Sequence, residues 1–81
     1  MKAFVHVALK KSVLDPQGKA VQAALAKRGH RGIGGVRQGK CFELDLDPSL
    51  SREAAAREVE RVAREVLTNP VIEEYSVRWE G

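Results

Sequence analysis

The chain has 81 residues, 43% hydrophobic and 31% charged, with fourteen Lys and Arg against eleven Asp and Glu for a net charge of +3. Such a composition excludes a disordered chain, and the length allows one domain, 1–81, that buries only about 60% of its unfolded surface. No run of five like charges marks a nucleic-acid tail, one cysteine cannot form an internal disulfide, and no 18-residue apolar span or secretory core occurs.

The expected setting is therefore soluble and cytoplasmic, with no membrane partner. Ordering costs about 1.5 kcal/mol per residue, so a core this small leaves little surplus and favours self-association or a partner.

From Lys2 to Lys10, Ala3, Val5, Val7 and Leu9 alternate with Lys2, Phe4, His6, Ala8 and Lys10. A period of two predicts a β-strand with the first set inward. Phe4 and Ala8 leave the second face partly apolar, open to another subunit. Asp15 can cap a helix and Pro16 suits its first position, so a helix is expected over Pro16–Arg28, with Ala20, Val21, Ala24 and Leu25 on its buried stripe and Gly29 ending it. Gly18 in the first turn costs roughly 1 kcal/mol against alanine. It reads either as a frayed turn or as a place where another chain or a ligand approaches closely.

Gly29 to Gly35 is a glycine-rich connector. Beyond it Ile33–Gln38 and Lys40–Asp47 read as two extended segments broken at Gly39, forming a hairpin or one long bulged strand, with Phe42, Leu44 and Leu46 inward. Ser51 caps a second helix whose stripe is Ala55, Val59, Val62, Ala63 and Val66, while Arg and Glu cover its other side. Asn69-Pro70 ends that helix, because a residue before proline leaves the helical region. A last strand carries Val71, Glu73, Tyr75, Val77 and Trp79 on one face. The order β-α-β-β-α-β predicts an α+β two-layer sandwich, an antiparallel sheet with both helices on one face.

Catalytic and ligand motifs are sparse. Gly34 to Lys40 matches G-x-x-x-x-G-K, but Cys41 stands where a phosphate-binding loop has Ser or Thr, and a strand pattern comes after it in place of a helix. Arg37 and Lys40 retain a simpler electrostatic role towards a partner or a phosphate. His6, His30 and Cys41 lack metal-ligand spacing, and no base stands beside Cys41 in sequence. RNA-recognition modules share the element order, yet the sheet lacks their aromatic run. The residues alone thus leave a non-catalytic, oligomeric α+β module, with a small-ligand-sensing or a nucleic-acid-binding module as the other classes.

Three segments together narrow this. Val13-Leu14-Asp15-Pro16-Gln17-Gly18, Val36-Arg37-Gln38-Gly39-Lys40 and Asn69-Pro70-Val71-Ile72-Glu73-Glu74-Tyr75 closely resemble the PurS family, small subunits of formylglycinamidine ribonucleotide synthase in purine biosynthesis. The resemblance spans nearly the whole chain and departs from the family in the extra glycines of Gly32-Ile33-Gly34-Gly35. It implies an ATP-dependent, glutamine-using C–N ligase in which separate glutaminase and large synthetase subunits do the chemistry. The small subunit bridges them as a homodimer, or a tetramer, and aids ammonia transfer. It implies no catalytic residue, metal or cofactor in this chain, ATP and Mg being used by the synthetase subunit. Partner-contact or fold-defining candidates are Lys10, Lys11, Asp15, Pro16, Gln17, Gly18, Arg37, Gly39, Lys40, Asn69, Pro70 and Tyr75. Asp15-Pro16 and Asn69-Pro70 also carry a purely structural reading, as helix start and stop.

Overall fold

A computed structural model describes residues 1–81. The elements are strand β1 (Lys2–Leu9), helix α1 (Pro16–Lys27), strand β2 (Gly39–Asp45), helix α2 (Arg52–Val62) continued by a π-helical turn (Ala63–Leu67), and strand β3 (Glu73–Glu80). β1 is central, with β2 and β3 antiparallel on either side. The register pairs Val5 with Phe42 and Val77, and Val7 with Lys40 and Tyr75. Period-two alternation therefore puts Ala3, Val5 and Val7 inward, where they are fully buried.

Helix α2 covers this face. Ser51 Oγ accepts from the Ala54 amide at 3.1 Å and so caps the first turn. Val59 and Ala63 join the valines of β1, flanked by half-buried Phe42, Leu44, Leu46, Leu67, Tyr75, Val77 and Trp79. The exposed Val66 departs from the expected stripe. The π-helical turn is wider than an α-turn and delays the stripe by one residue, so Leu67 reaches the sheet and Val66 swings out.

Two further differences concern α1 and the connector beyond it. The class is α+β with an antiparallel sheet, as expected, but the strands number three. Ile33–Gln38 forms neither a hairpin nor a bulged extension of β2, because no neighbouring strand within the chain supplies a ladder. Helix α1 contributes no side chain to the core; Ala20, Val21 and Ala24 are exposed, and Gly18 alone is buried. Only the second helix therefore packs its apolar stripe on the sheet.

The shape reflects this division. The radius of gyration is 16.1 Å, where a compact chain of this length has about 12 Å. The long axis of 50 Å is nearly double the roughly 27 Å of an eight-residue strand. Helix α1 and its connector thus extend from one end of a small sheet-and-helix body.

Candidate functional site

The end of the sheet where β1 finishes and β2 and β3 begin gathers most of the residues singled out above. Leu9 lies opposite Glu73, and Ala8 is flanked by Gly39 and Glu74. The β1–α1 loop, the start of β2 and the turn before β3 therefore meet there.

Asp15 organises the loop. Its carboxylate is buried, accepting from the Gly18 amide at 3.0 Å on Oδ1 and from the Gln38 amide at 2.7 Å on Oδ2. The Gln38 bond first, then the Gly18 bond, and then the Arg37 charge hold its pKa below the ordinary carboxylate value, against the opposing effect of burial. One side chain thus caps α1 and ties the helix to the entry of β2. Pro16 occupies the first helical position, and Gln17 Oε1 accepts from Gln38 Nε2 at 2.9 Å. Gly18 is required by its own chain: a Cβ there would collide with the Val36 carbonyl oxygen and the Asp15 carboxylate.

Arg37 works from the other side of the same junction. Its Nη2 donates to the carbonyls of Lys10 at 2.9 Å and Val13 at 3.1 Å, and reaches Leu9 O at 3.4 Å. Three backbone carbonyls, from the last residue of β1 and from the loop after it, are thus gathered on one guanidinium. Its donors face the chain's own backbone, which leaves Lys10, Lys11 and Lys40 as the cations of this end. Lys40 Nζ lies 5.7 Å from the Phe42 ring centroid.

The turn before β3 is built by Asn69. Its side-chain oxygen accepts from the Val71 amide at 3.1 Å, its carbonyl accepts from Ile72 and Glu73, and its own amide donates to Glu73 Oε1 at 2.7 Å. Pro70 is exposed in that turn. The Ile72 carbonyl accepts from the Lys10 amide at 2.9 Å, which fastens the turn to the β1–α1 loop. Tyr75 lies apart, inside β3 on the α2 side, where its hydroxyl donates to Glu60 Oε2 at 2.6 Å. That bond, with burial second, raises the tyrosine pKa.

A shallow groove of about 370 Å³ opens between Leu9, Gln17, Gln38, Lys40 and Glu73. Its polar groups include no nucleophile beside a base. No cluster of three His, Cys, Asp or Glu side chains that could hold a metal ion occurs. His6 and Cys41 are cross-strand neighbours on the face away from α2, and Cys41 is exposed. What this end does offer is a surface. Leu14 and Val71 are 64% and 78% exposed, with Ile72 beside them and Lys10 and Lys11 at the rim. Gln38, the second partner of the Asp15 carboxylate, is not among the residues singled out above, and Val71, expected in the last strand on one face with Glu73 and Tyr75, lies in the turn before it. The signal for the patch was available: apolar side chains placed directly in turns, on either side of Asp15-Pro16 and Asn69-Pro70.

Comparison with known proteins decides the family. The family described as PurS, phosphoribosylformylglycinamidine (FGAM) synthase, matches residues 2–81. The chain belongs to the PurS family. A PurS subunit of phosphoribosylformylglycinamidine synthase from Mycobacterium leprae is 43% identical over 80 residues, covering 99% of this chain and 96% of that protein. The Bacillus subtilis PurS structure matches with a TM-score of 0.83 at 40% identity, covering 99% of this chain and 98% of that one. A chain in the structure of PurLQS from Thermotoga maritima matches with a TM-score of 0.86 at 31% identity, covering 95% and 93%. The three-stranded PurS sheet therefore has close counterparts in solved structures. No helix of the chain is long and apolar enough to cross a membrane.

Proposed function

We propose that this chain is the non-catalytic small subunit of phosphoribosylformylglycinamidine synthase, bridging the glutaminase and ATP-dependent synthetase subunits and aiding passage of ammonia between them. The observation that carries the reading is the match, over 95% of the chain, to part of a PurLQS structure. A surface without a catalytic constellation is what a bridging subunit needs. ATP and Mg belong, on this reading, to the synthetase subunit. A cytoplasmic location goes with the same reading, in keeping with the free thiol of Cys41. Neither a ligand-sensing nor a nucleic-acid-binding role is favoured by the family.

The docking surface on this reading is the sheet end with Leu14, Val71 and Ile72 at its centre and Lys10 and Lys11 at its rim. Apolar side chains ringed by cations fit a partner patch that is apolar with an acidic border. The test is reconstitution. The chain, the glutaminase and the synthetase are mixed with ATP and glutamine and followed by light scattering and by glutamine-dependent synthesis. One larger particle with restored synthesis is expected, and loss of both with Lys10→Glu and Lys11→Glu combined. A complex that assembles and works equally well without this chain would end the assignment; one indifferent to the lysine reversals would move the docking surface elsewhere.

A further inference from the structure

A subunit that bridges two others needs two separate surfaces, and the sheet end with Leu14, Val71 and Ile72 supplies one. The body has another end. Helix α2 starts there, just after β2 stops, and runs back to the turn before β3. At 1.5 Å per residue the stretch from Ser51 to Leu67 spans about 24 Å, so both ends can be occupied at once. A groove of about 540 Å³ lies at that far end, lined by half-buried Leu50 and Ala54 and by exposed Arg57, Glu58 and Arg61. The four residues on α2 follow the i, i+3, i+4, i+7 spacing of one helix flank. Glu60, which binds the Tyr75 hydroxyl of β3, belongs to the other flank.

The charges of the groove indicate its occupant. Arg57 and Arg61 stand one turn apart, a like-charge spacing that destabilises a helix unless an anion lies between them. Neither forms an ion pair within the chain. The carboxylates that could serve them are engaged elsewhere: Glu65 pairs with Arg64, Glu60 holds Tyr75, and Asp47, at the rim of the groove, accepts from the Ser49 amide and hydroxyl. Glu58 is left free beside the two arginines, and with Asp47 it balances them in formal charge. A polyanion is therefore a poor fit. A single carboxylate reaching between the guanidiniums is a good one, since each presents a fork of donors that matches two carboxylate oxygens. Leu50 and Ala54 beside them suit an apolar neighbour of that carboxylate.

We infer that this groove is a second docking site, which takes an acidic segment of the partner subunit not held at the Leu14 end: a carboxylate between Arg57 and Arg61, and an apolar side chain against Leu50 and Ala54. The inference rests on the bridging role proposed above and divides that role between the two ends of one chain. Each end then offers apolar side chains bordered by cations, the arrangement that gives an interface both contact area and register.

The test uses the full chain mixed with the glutaminase, the synthetase, ATP and glutamine, with sedimentation velocity reading which subunits travel with it. Arg57→Gln with Arg61→Gln raises the concentration needed to incorporate one of the two subunits about tenfold, and Arg57→Glu with Arg61→Glu about a hundredfold. Incorporation of the other subunit stays as in the wild type. Lys10→Glu with Lys11→Glu gives the reverse pattern. Both arginines are exposed, so the Trp79 fluorescence and the oligomeric state of the chain alone are unchanged, and the glutamine pair carries the test where charge reversal disturbs folding. Wild-type incorporation of both subunits by the arginine variants overturns the inference and leaves the bridging role standing. Loss of both subunits together also overturns it, since the two ends would then not be separate sites. So does an altered oligomeric state of the chain alone, which would give the groove to a contact between copies. A complex that forms without the chain ends the bridging role and this inference with it, a result the wild-type mixture reads before any arginine is changed.

Discussion

Replacing Gly18 with alanine sets two effects of opposite sign against each other. Intrinsic helix propensity favours the substitution by about 1 kcal/mol, since Gly18 lies within α1. Packing opposes it, because an added Cβ would overlap the Val36 carbonyl oxygen and the Asp15 carboxylate. Overpacking typically costs roughly 1–3 kcal/mol, and about 3 is appropriate where the obstacle is backbone rather than the end of a flexible side chain. The net expectation is a loss of about 2 kcal/mol, which for a domain of this size lowers Tm by roughly 8–16 °C. Gly32→Ala is the control, because nothing lies within 4 Å of a Cβ there and its φ is not positive. It should be neutral, or stabilising by at most about 1 kcal/mol through the unfolded chain. Thermal unfolding followed by circular dichroism at one fixed protein concentration measures both, which keeps self-association from entering the comparison. If Gly18→Ala melts at or above the wild-type temperature, the close approach of α1 to the Val36 carbonyl is not what holds the helix at this junction.

Acid should loosen the same junction. Because hydrogen bonds to Gln38 and Gly18 lower the folded-state pKa of Asp15, its contribution is fully present above the unfolded-state value of about 3.9 and is lost as pH falls through the lower folded-state value. Asp47, held low by the Ser49 amide and hydroxyl, acts in the same direction. Melting temperatures measured at intervals from pH 6 to pH 2 should fall less steeply in Asp15→Asn than in the wild type, and parallel curves would refute the assignment. Tyr75→Phe removes the 2.6 Å bond to Glu60 that ties β3 to α2. At this half-exposed site the expected cost is about 1 kcal/mol, read as a lower urea midpoint with unchanged slope; an unchanged midpoint would show the bond to be energetically idle.

Sequence patterning and three-dimensional structure agree where one element can be judged by its own neighbours. The alternation in β1 placed Ala3, Val5 and Val7 inward, and Asp15-Pro16 and Ser51 marked both helix starts. Judgement failed where burial depends on what lies opposite. Val21 and Ala24 recur on one face of α1 as core residues do, but period alone does not say whether a surface exists to receive them. Ile33–Gln38 has extended character without a strand to pair with. Cap chemistry is local, so the helix start at Asp15-Pro16 and the helix stop before Asn69-Pro70 were legible, whereas the turn that the Asn69 side chain builds was not. The role of Arg37 in gathering the carbonyls of Leu9, Lys10 and Val13 was not legible, since it joins residues more than twenty positions apart.

The junction also determines how the chain tolerates change. Asp15 grips the Gln38 amide while Arg37 grips the end of β1, so everything between the two residues leaves and re-enters the body through one tied neck. Closing a loop costs free energy that grows only with the logarithm of its length. Residues added or removed near Gly32 and Gly35 would therefore leave the pairing of β1 with β2 in its present register. The tip can drift in length and composition over evolutionary time while the strands beneath it stay as they are.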